Sequence, residues 1–312
     1  MTTGIDMANM FGTGEPVETF LGLPKGALGD PARGAILGVP GVTPYGTVGP
    51  YCKDGPQAIR AAIAGDAALV SHMDFDCGTP MFPHTPNVID CGDLPYRSTD
   101  FAANRTGVRD AVRAILKAGT LPILLGGDDS LPCPMLEAYA DIGPITILQI
   151  DAHIDWRDEV QGERMGLSSG MRRASEMAHV EAIIQVGMRA TGSARVSDVE
   201  DAKSWGVSFH PAREVHRQGI EAPLDRIKEG ANVVVCLDAD ALDPSIVPGV
   251  IGRAPGGLGY WDVVNLIDGA AERGRLVGFE VAEFMPDRDV DGIGALNIAR
   301  IVANVVRIAA RS

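Results

Sequence analysis

The chain has 312 residues, of which 46% are hydrophobic and 22% charged, and its mean hydropathy is +0.08. A chain of this length can bury a large core, either as one α/β domain or as two smaller ones. It contains no run of about 18 apolar residues, which argues against a membrane span. The formal net charge of −14 disfavours nucleic acid as a partner, because phosphates would be repelled, and favours cationic ligands and metal ions.

The N-terminal segment is rich in Gly and Pro, and it lacks the basic and apolar regions of a secretory signal peptide. We expect residues 1–32 to form an arm that packs on the body or on a neighbouring subunit, and residues 33–312 to form the main domain. The five cysteines are scattered and form no C-x-x-C motif. They are therefore expected to be reduced thiols of a cytoplasmic protein.

Short apolar runs alternate with helix-like segments along the chain. The runs, each predicted to be a strand, are 34–40, 87–93, 121–127, 145–151, 181–187, 206–210, 232–238 and 275–281. The predicted helices are 101–119, 171–178, 193–206, 260–274 and 294–311. Strands that are apolar on both faces and alternate with helices are typical of a parallel sheet covered by helices. We therefore predict a single-domain, three-layer α/β/α fold with a mostly parallel, eight-stranded sheet.

Acidic side chains follow four of these apolar runs. They are Asp128 and Asp129 after 121–127, Asp151 and Asp155 (with His153) at the end of 145–151, Asp238, Asp240 and Asp243 at the end of 232–238, and Glu283 after 275–281. Ligands of parallel α/β sheets bind beyond the carboxyl ends of the strands. If the backbone stays extended, alternation also points the side chains of the D-x-H-x-D motif the same way.

So many carboxylates in one cleft would repel each other and raise each other's pKa values unless cations lay among them. Two divalent ions suit this number of ligands, and carboxylates with one imidazole suit Mn²⁺, with Ni²⁺, Co²⁺ or Zn²⁺ as alternatives. An aspartate after a strand is often a helix cap, and Asp128 or Asp243 could be only that. Capping does not explain the D-x-H-x-D and D-x-D-x-x-D motifs together, so the sequence predicts a binuclear metal centre.

At these residues the sequence resembles the ureohydrolase family of arginases, agmatinases and related guanidino-compound hydrolases. The segment "GGDDS" resembles the family's GGDHS, "DAHID" its DAHxD, and "CLDADALDP" its D-x-D-x-x-DP motif. The segment "FEVAEFMP" resembles the one that carries the substrate-binding glutamate. The resemblance covers about residues 33 to 310. It implies the arginase-like α/β fold, a binuclear Mn²⁺ or Ni²⁺ centre, and a homo-oligomer such as a trimer or hexamer.

The resemblance also implies roles for individual residues. The implied metal ligands are Asp129, Asp151, His153, Asp155, Asp238 and Asp240, with Asp151 and Asp238 bridging the two ions. Asp155 would additionally orient the attacking solvent molecule and shuttle its proton. Glu283 would pair with the substrate guanidinium, a planar cation that suits a bidentate carboxylate.

Two departures from the family pattern bear on function. Asp129 stands where most members carry a ligating His, which adds negative charge to the site. Leu167 stands where many members carry a His near the leaving group, so another group must supply that proton and the pocket is more apolar there. The segment "PGVIGR" also differs from the commoner PGTGTP pattern at a loop that lines the cleft.

These observations favour a metal-dependent amidinohydrolase that acts on a small cationic guanidino compound, with agmatine and guanidino acids as first candidates. Leu167 keeps an N-alkylated guanidine or biguanide open as substrate. Arginine is less favoured, because the amino-acid-binding loop of arginases is not recognisable after "DAHID"; Trp156, Arg157 and Arg164 follow it and are expected to be structural. The further alternatives are a formimino-group hydrolase and a non-catalytic subunit that assembles with an active paralogue.

Overall fold

The structure, a computed structural model, describes residues 18–82, 85–192 and 194–311. Its strands, in chain order, are β1 (Gly34–Gly38), β2 (Met73–Asp74), β3 (Thr79–Pro80), β4 (Val88–Asp93), β5 (Leu121–Leu125), β6 (Ile145–Ile150), β7 (Val180–Val186), β8 (Ser208–His210), β9 (Asn232–Asp238) and β10 (Arg275–Ala282). Its α-helices are α1 (Gly55–Ala62), α2 (Phe101–Lys117), α3 (Pro132–Glu137), α4 (Gly170–Ala174), α5 (Val196–Trp205), α6 (Ala212–Gln218), α7 (Glu221–Leu224), α8 (Tyr260–Arg273) and α9 (Ile293–Arg311).

The central sheet has eight strands in the order β4-β1-β5-β10-β9-β6-β7-β8. Every neighbouring pair in this sheet is parallel. All eight predicted strands are therefore confirmed, and so is the parallel sheet. Strands β2 and β3 form a separate small antiparallel hairpin that the sequence analysis did not identify.

Two apolar clusters, one on each face of the sheet, make up most of the core. Side chains of α1, α8 and α9 share one cluster with Leu148 of β6, whereas side chains of α2, α3, α4 and α5 share the other with Ile147. Consecutive residues of a strand point to opposite faces, so the sheet is covered on both sides. This arrangement confirms the predicted three-layer α/β/α architecture.

All five predicted helices are present, but two of them are shorter than predicted. The predicted segments 171–178 and 193–206 form only Gly170–Ala174 and Val196–Trp205. Four helices (α1, α3, α6 and α7) were not predicted. Helix α3 begins at Pro132, a position where the missing N–H of proline costs no hydrogen bond.

Helix α9 is long and apolar enough to span a membrane, judged by length and composition alone. In the fold, however, Ile298, Ile301, Val302 and Val305 are fully buried in the cluster that also contains sheet residues. Its apolar character is therefore explained by packing on the sheet.

The described part of the N-terminal segment packs against the edge strand β4. Phe20 is fully buried, and its N–H donates to Asp90 Oδ2 at 2.9 Å, while the N–H of Asp90 donates to the carbonyl of Pro24 at 2.9 Å. The rest of the predicted arm, residues 1–17, lies outside the described residues. The boundary between arm and domain at residue 33 stays a prediction.

A buried ion pair fixes this edge of the sheet. The guanidinium of Arg60 donates to both oxygens of Asp90, at 2.8 and 2.9 Å, and to Asp93 Oδ1 at 2.6 Å. Arg60 and Asp90 are both buried, so removing the arginine would leave a buried carboxylate without its partner.

We expect Arg60→Met to lower the free energy of unfolding by about 3 to 5 kcal/mol in a urea titration. The matched control is Arg109→Met, which removes an arginine whose ion pairs lie at the surface, and it should cost less than about 1 kcal/mol. Equal losses for the two variants would contradict this interpretation of the Arg60 ion pair.

Candidate metal centre

The four strands that carry the acidic motifs are neighbours in the middle of the sheet, in the order β5-β10-β9-β6. Because all four are parallel, their carboxyl ends meet at one edge. Asp129 follows β5, Asp151 follows β6, Asp238 ends β9 and Glu283 follows β10. The topology therefore brings together residues that are up to 154 positions apart, as the hydrogen bond between Asp129 and Glu283 shows.

Within the described residues, two groups of side chains could each hold a metal ion. One group contains Asp151, His153 and Asp240, and the other contains Asp129, Asp151 and Asp238. In each group the ligand atoms lie within 4.8 Å of one another. Asp151 belongs to both groups, which is the arrangement that a carboxylate shared between two ions requires.

The imidazole of His153 approaches two carboxylates. Its Nδ1 lies 3.4 Å from Asp151 Oδ1 and 3.2 Å from Asp240 Oδ2. Burial disfavours the charged imidazole, but these two partners raise the pKa of His153 to about 12. Positive charge is thus strongly favoured at this position, where a divalent ion would replace the proton.

The aspartates converge by turns rather than by strand alternation, so the expected extended geometry is wrong. Strand β6 ends at Ile150, and Asp155 has a φ of 44°, in the left-handed region. Asp240 lies in a 3₁₀ turn that begins after Asp238, and its N–H donates to Asp238 Oδ1 at 2.7 Å.

Asp155 lies outside both ligand groups but beside them. The amide nitrogen of Gln149 is 2.7 Å from Asp151 Oδ2 and 2.5 Å from Asp155 Oδ2. This bridging amide holds Asp155 next to the shared carboxylate. The assignment of Asp155 as a ligand, and of Asp238 as a second bridging residue, stays a prediction.

The electrostatics of the cluster are those of a site that lacks positive charge. Burial, followed by neighbouring carboxylates, raises the pKa values of Asp129, Asp155 and Asp238 well above the usual range. Among the described residues, no Lys or Arg forms an ion pair with these three aspartates. The buried carboxylates and the imidazole therefore fit divalent cations, whose charge would offset the repulsion.

Two aspartates of the acidic motifs belong to the loops and not to the cluster. Asp128 accepts the N–H of Val42 at 2.8 Å and the N–H of Thr43 at 3.2 Å. Asp243 accepts the N–H groups of Ser245, Gly256 and Gly257 at 2.9 to 3.0 Å, which together with Ser245 Oγ overcome burial and lower its pKa to about 2. Neither residue caps a helix, as the alternative interpretation proposed; both stabilise the backbone of loops instead.

Glu283 is buried against the cluster in a left-handed backbone conformation, with a φ of 63°. Its Oε1 accepts the N–H of Asp129 at 2.9 Å and also the hydroxyl of Tyr51. Burial raises the pKa of Glu283 to about 8, although these two donors oppose the shift. The hydrogen bonds of Glu283 within the described part of the chain therefore all fall on Oε1.

The loop that contains Leu167 contacts both the cluster and a second tyrosine. Leu167 is buried, the hydroxyl of Tyr45 lies 3.2 Å from its carbonyl oxygen, and the N–H of Ser168 donates to Asp129 Oδ2 at 3.2 Å. The same hydroxyl lies 3.2 Å from Ser168 Oγ. Sequence analysis missed Tyr45 and Tyr51, because their Gly- and Pro-rich loop shows no periodicity.

The loop with the unusual "PGVIGR" segment borders the cluster from another side. A Cβ placed on Gly252 would lie 3.9 Å from both His153 Cε1 and Asp240 Oδ2.

The residues after "DAHID" have structural partners, as expected: Trp156 donates to Asp201 at 2.7 Å, and Arg164 pairs with Asp158 at 3.1 Å. Arg157 donates to the carbonyl of Gly192 at 3.3 Å.

Comparison with known proteins agrees with this geometry. Residues 32–307 match the Arginase family. The chain is 34% identical over 231 residues to the mitochondrial arginase of Medicago truncatula, covering 70% of this chain and 66% of the relative. It is 35% identical over 183 residues to N(1)-aminopropylagmatine ureohydrolase of Thermus thermophilus, covering 58% of this chain and 60% of the relative.

These alignments thus span less than two thirds of the curated relatives' own lengths. A solved structure, proclavaminate amidinohydrolase from Streptomyces clavuligerus, superimposes with a TM-score of 0.82 at 26% identity, covering 95% of this chain and 98% of that one. The match over residues 32–307 takes in every residue of the cluster described above. This chain therefore belongs to the arginase family.

Proposed function

We propose that the chain is a metal-dependent amidinohydrolase that cleaves a C–N bond of a small guanidino compound and releases urea and an amine. The observation that carries this proposal is the pair of ligand groups that share Asp151, with Glu283 hydrogen-bonded to the backbone of Asp129 beside them. Family membership and the similarity to ureohydrolases and an amidinohydrolase support the same reaction class.

The proposed ligands are those named from the sequence: Asp129, Asp151, His153, Asp155, Asp238 and Asp240. Two divalent ions bound there would act as Lewis acids and lower the pKa of a shared water. Mn²⁺ is the first candidate and Ni²⁺ the alternative, because carboxylates dominate the donor set.

The other roles fall to side chains at the edge of this cluster. Glu283 pairs with the guanidinium through Oε2, and the burial of this carboxylate strengthens the ion pair. Asp155 takes the proton from the attacking water and passes it toward the leaving nitrogen. The water oxygen bonds to the guanidinium carbon, the C–N bond to the amine breaks, and the proton leaves with the amine.

The substrate tail would extend past Tyr45, Tyr51 and Leu167. An agmatinase-like reaction is the first candidate. The second candidate is an N-alkylated guanidine or biguanide, whose apolar substituent would pack on Leu167, since the next residue, Ser168, contacts the cluster through Asp129. Arg164 already pairs with Asp158 and Glu176, which makes it a poor partner for a substrate carboxylate and weakens the case for guanidino acids.

We further propose a cytoplasmic homo-oligomer, a trimer or hexamer, as the working form. The alternatives are a hetero-oligomer in which this chain is a non-catalytic subunit, and a formimino-group hydrolase that would release formamide and not urea. The retained set of candidate ligands favours the catalytic alternative, since a subunit without catalytic function has no need to keep so much buried charge.

A substrate screen tests the proposed reaction. Protein loaded with Mn²⁺ or Ni²⁺ should release urea from at least one member of a panel containing agmatine, guanidinobutyrate, guanidinopropionate, guanidine and biguanides. Glu283→Gln should lower kcat/KM by about 100-fold or more, because the charge partner of the guanidinium is lost.

The control for the screen is Asp243→Asn, which changes a carboxylate that serves only the loop and should leave kcat/KM near the wild-type value. Absence of urea from every substrate, with two ions bound per chain, would overturn the catalytic proposal in favour of the non-catalytic subunit. Formamide as the product would instead identify the formimino-group reaction.

The pKa shifts predict an unusual pH dependence for the metal-free protein. Glu283 has a folded-state pKa of about 8, above the ordinary value of 4.5, so folding takes up a proton between these two pH values. The raised pKa of His153 acts in the same direction above its ordinary value of 6.5. Stability should therefore fall as the pH rises from about 5 to about 8.

Thermal unfolding after treatment with a chelator measures this effect. We expect the Tm to decrease between these two pH values without metal, and the decrease to vanish or reverse in excess Mn²⁺, because bound ions favour deprotonated ligands. A metal-free Tm that rises over the same interval would contradict the charge balance described for the cluster.

A further inference from the structure

A row of buried polar residues crosses the sheet directly beneath the proposed metal centre. It consists of Glu280 on β10, Cys236 on β9, Gln149 on β6 and Gln185 on β7, which pair laterally at one level of the sheet. Each of these side chains is at most 2% exposed. Two of them, Gln149 and Gln185, have a hydrogen-bonding pattern that leads to the cluster.

Gln149 contacts the proposed ligands directly. Its Nε2 lies 2.7 Å from Asp151 Oδ2 and 2.5 Å from Asp155 Oδ2, so both amide hydrogens are used. Carboxylate oxygens accept hydrogen bonds, which fixes the nitrogen end of the amide toward the aspartates. A carboxylate has about four acceptor sites, so one hydrogen bond from Gln149 orients each aspartate and leaves it able to bind an ion.

Gln185 supports Gln149 and the backbone beyond it. Its Nε2 donates to the side-chain oxygen of Gln149 and, at 2.7 Å, to the carbonyl oxygen of Ile154. Ile154 immediately precedes Asp155, whose left-handed φ of 44° a non-glycine residue rarely adopts. The two glutamines together thus hold both the carboxylate and the strained backbone of Asp155.

We propose that Gln149 and Gln185 are positioning residues of the metal centre. In this relay Gln185 holds the amide of Gln149, and Gln149 orients the carboxylates of Asp151 and Asp155. The inference rests on the proposed metal-dependent function, and it adds a requirement for two neutral residues that are not themselves ligands. Partners of this kind commonly contribute about 10- to 100-fold to metal affinity.

Metal titration of the chelator-treated full chain tests the relay. Met has an unbranched side chain like that of Gln, so Gln149→Met removes the hydrogen bonds with little change of shape. We expect this variant to bind Mn²⁺ about 10- to 100-fold more weakly by calorimetry. Gln185→Met should weaken binding in the same direction but less, because Gln149 is still present.

The double variant should lose less binding free energy than the two single variants lose together, because Gln185 acts in part through Gln149. The control is Ile147→Val, a mild truncation of a fully buried residue on the same face of β6, two residues from Gln149. It should keep wild-type affinity for Mn²⁺ while lowering the Tm slightly.

Wild-type Mn²⁺ affinity in Gln149→Met would overturn the relay, since the glutamine would then serve the core alone. If Gln149→Met does not fold, Gln185→Met replaces it as the test, because this variant keeps the hydrogen bonds from Gln149 to the aspartates. Wild-type Mn²⁺ affinity in Gln185→Met would then overturn the relay. A wild-type chain that binds no ion would instead overturn the proposed function, and the relay with it, so the two failures are distinguishable.

Discussion

Electrostatic repulsion among carboxylates is the constraint on which the rest of the structure depends. The four central strands of the parallel sheet end at one edge, and each is followed by or ends in an acidic residue. These residues, Asp129, Asp151, Asp238 and Glu283, are all buried. Charges of one sign in such an environment favour either protonation or a bound cation. The two overlapping groups around Asp151 show how divalent ions would balance this charge.

Acidic residues that are adjacent in the sequence have different roles because their surroundings differ. Asp128 accepts N–H groups of the loop at residues 42–43, so it stabilises backbone, whereas the next residue, Asp129, turns into the cluster. Asp243 is likewise satisfied by loop amides, whereas Asp240 faces His153. The number and direction of nearby donors thus separate structural carboxylates from candidate ligands.

Much of this arrangement was accessible from the sequence. Strands such as β5 and β9 are largely apolar, and acidic residues at or directly after their ends must lie at the carboxyl edge of a parallel sheet. The turn at Asp155 was not accessible, because a left-handed φ at a non-glycine residue depends on tertiary hydrogen bonds such as the one from Gln185 to Ile154.

The tyrosines beside the site could not be predicted from the sequence either. Tyr51 reaches Glu283 across 232 residues, and nothing in its loop indicates that partner. A usable signal did exist for the glutamines: Gln149 and Gln185 each lie near the carboxyl end of a largely apolar strand. A polar residue buried in such a strand needs a partner, which points toward the cluster.

Diffraction from crystals grown in excess Mn²⁺, recorded at the manganese absorption edge, tests the central claim most directly. The account predicts two anomalous peaks about 3.5 to 4 Å apart, with the carboxylate of Asp151 between them. A map without anomalous peaks, in which these side chains turn away from one another around solvent, would contradict it.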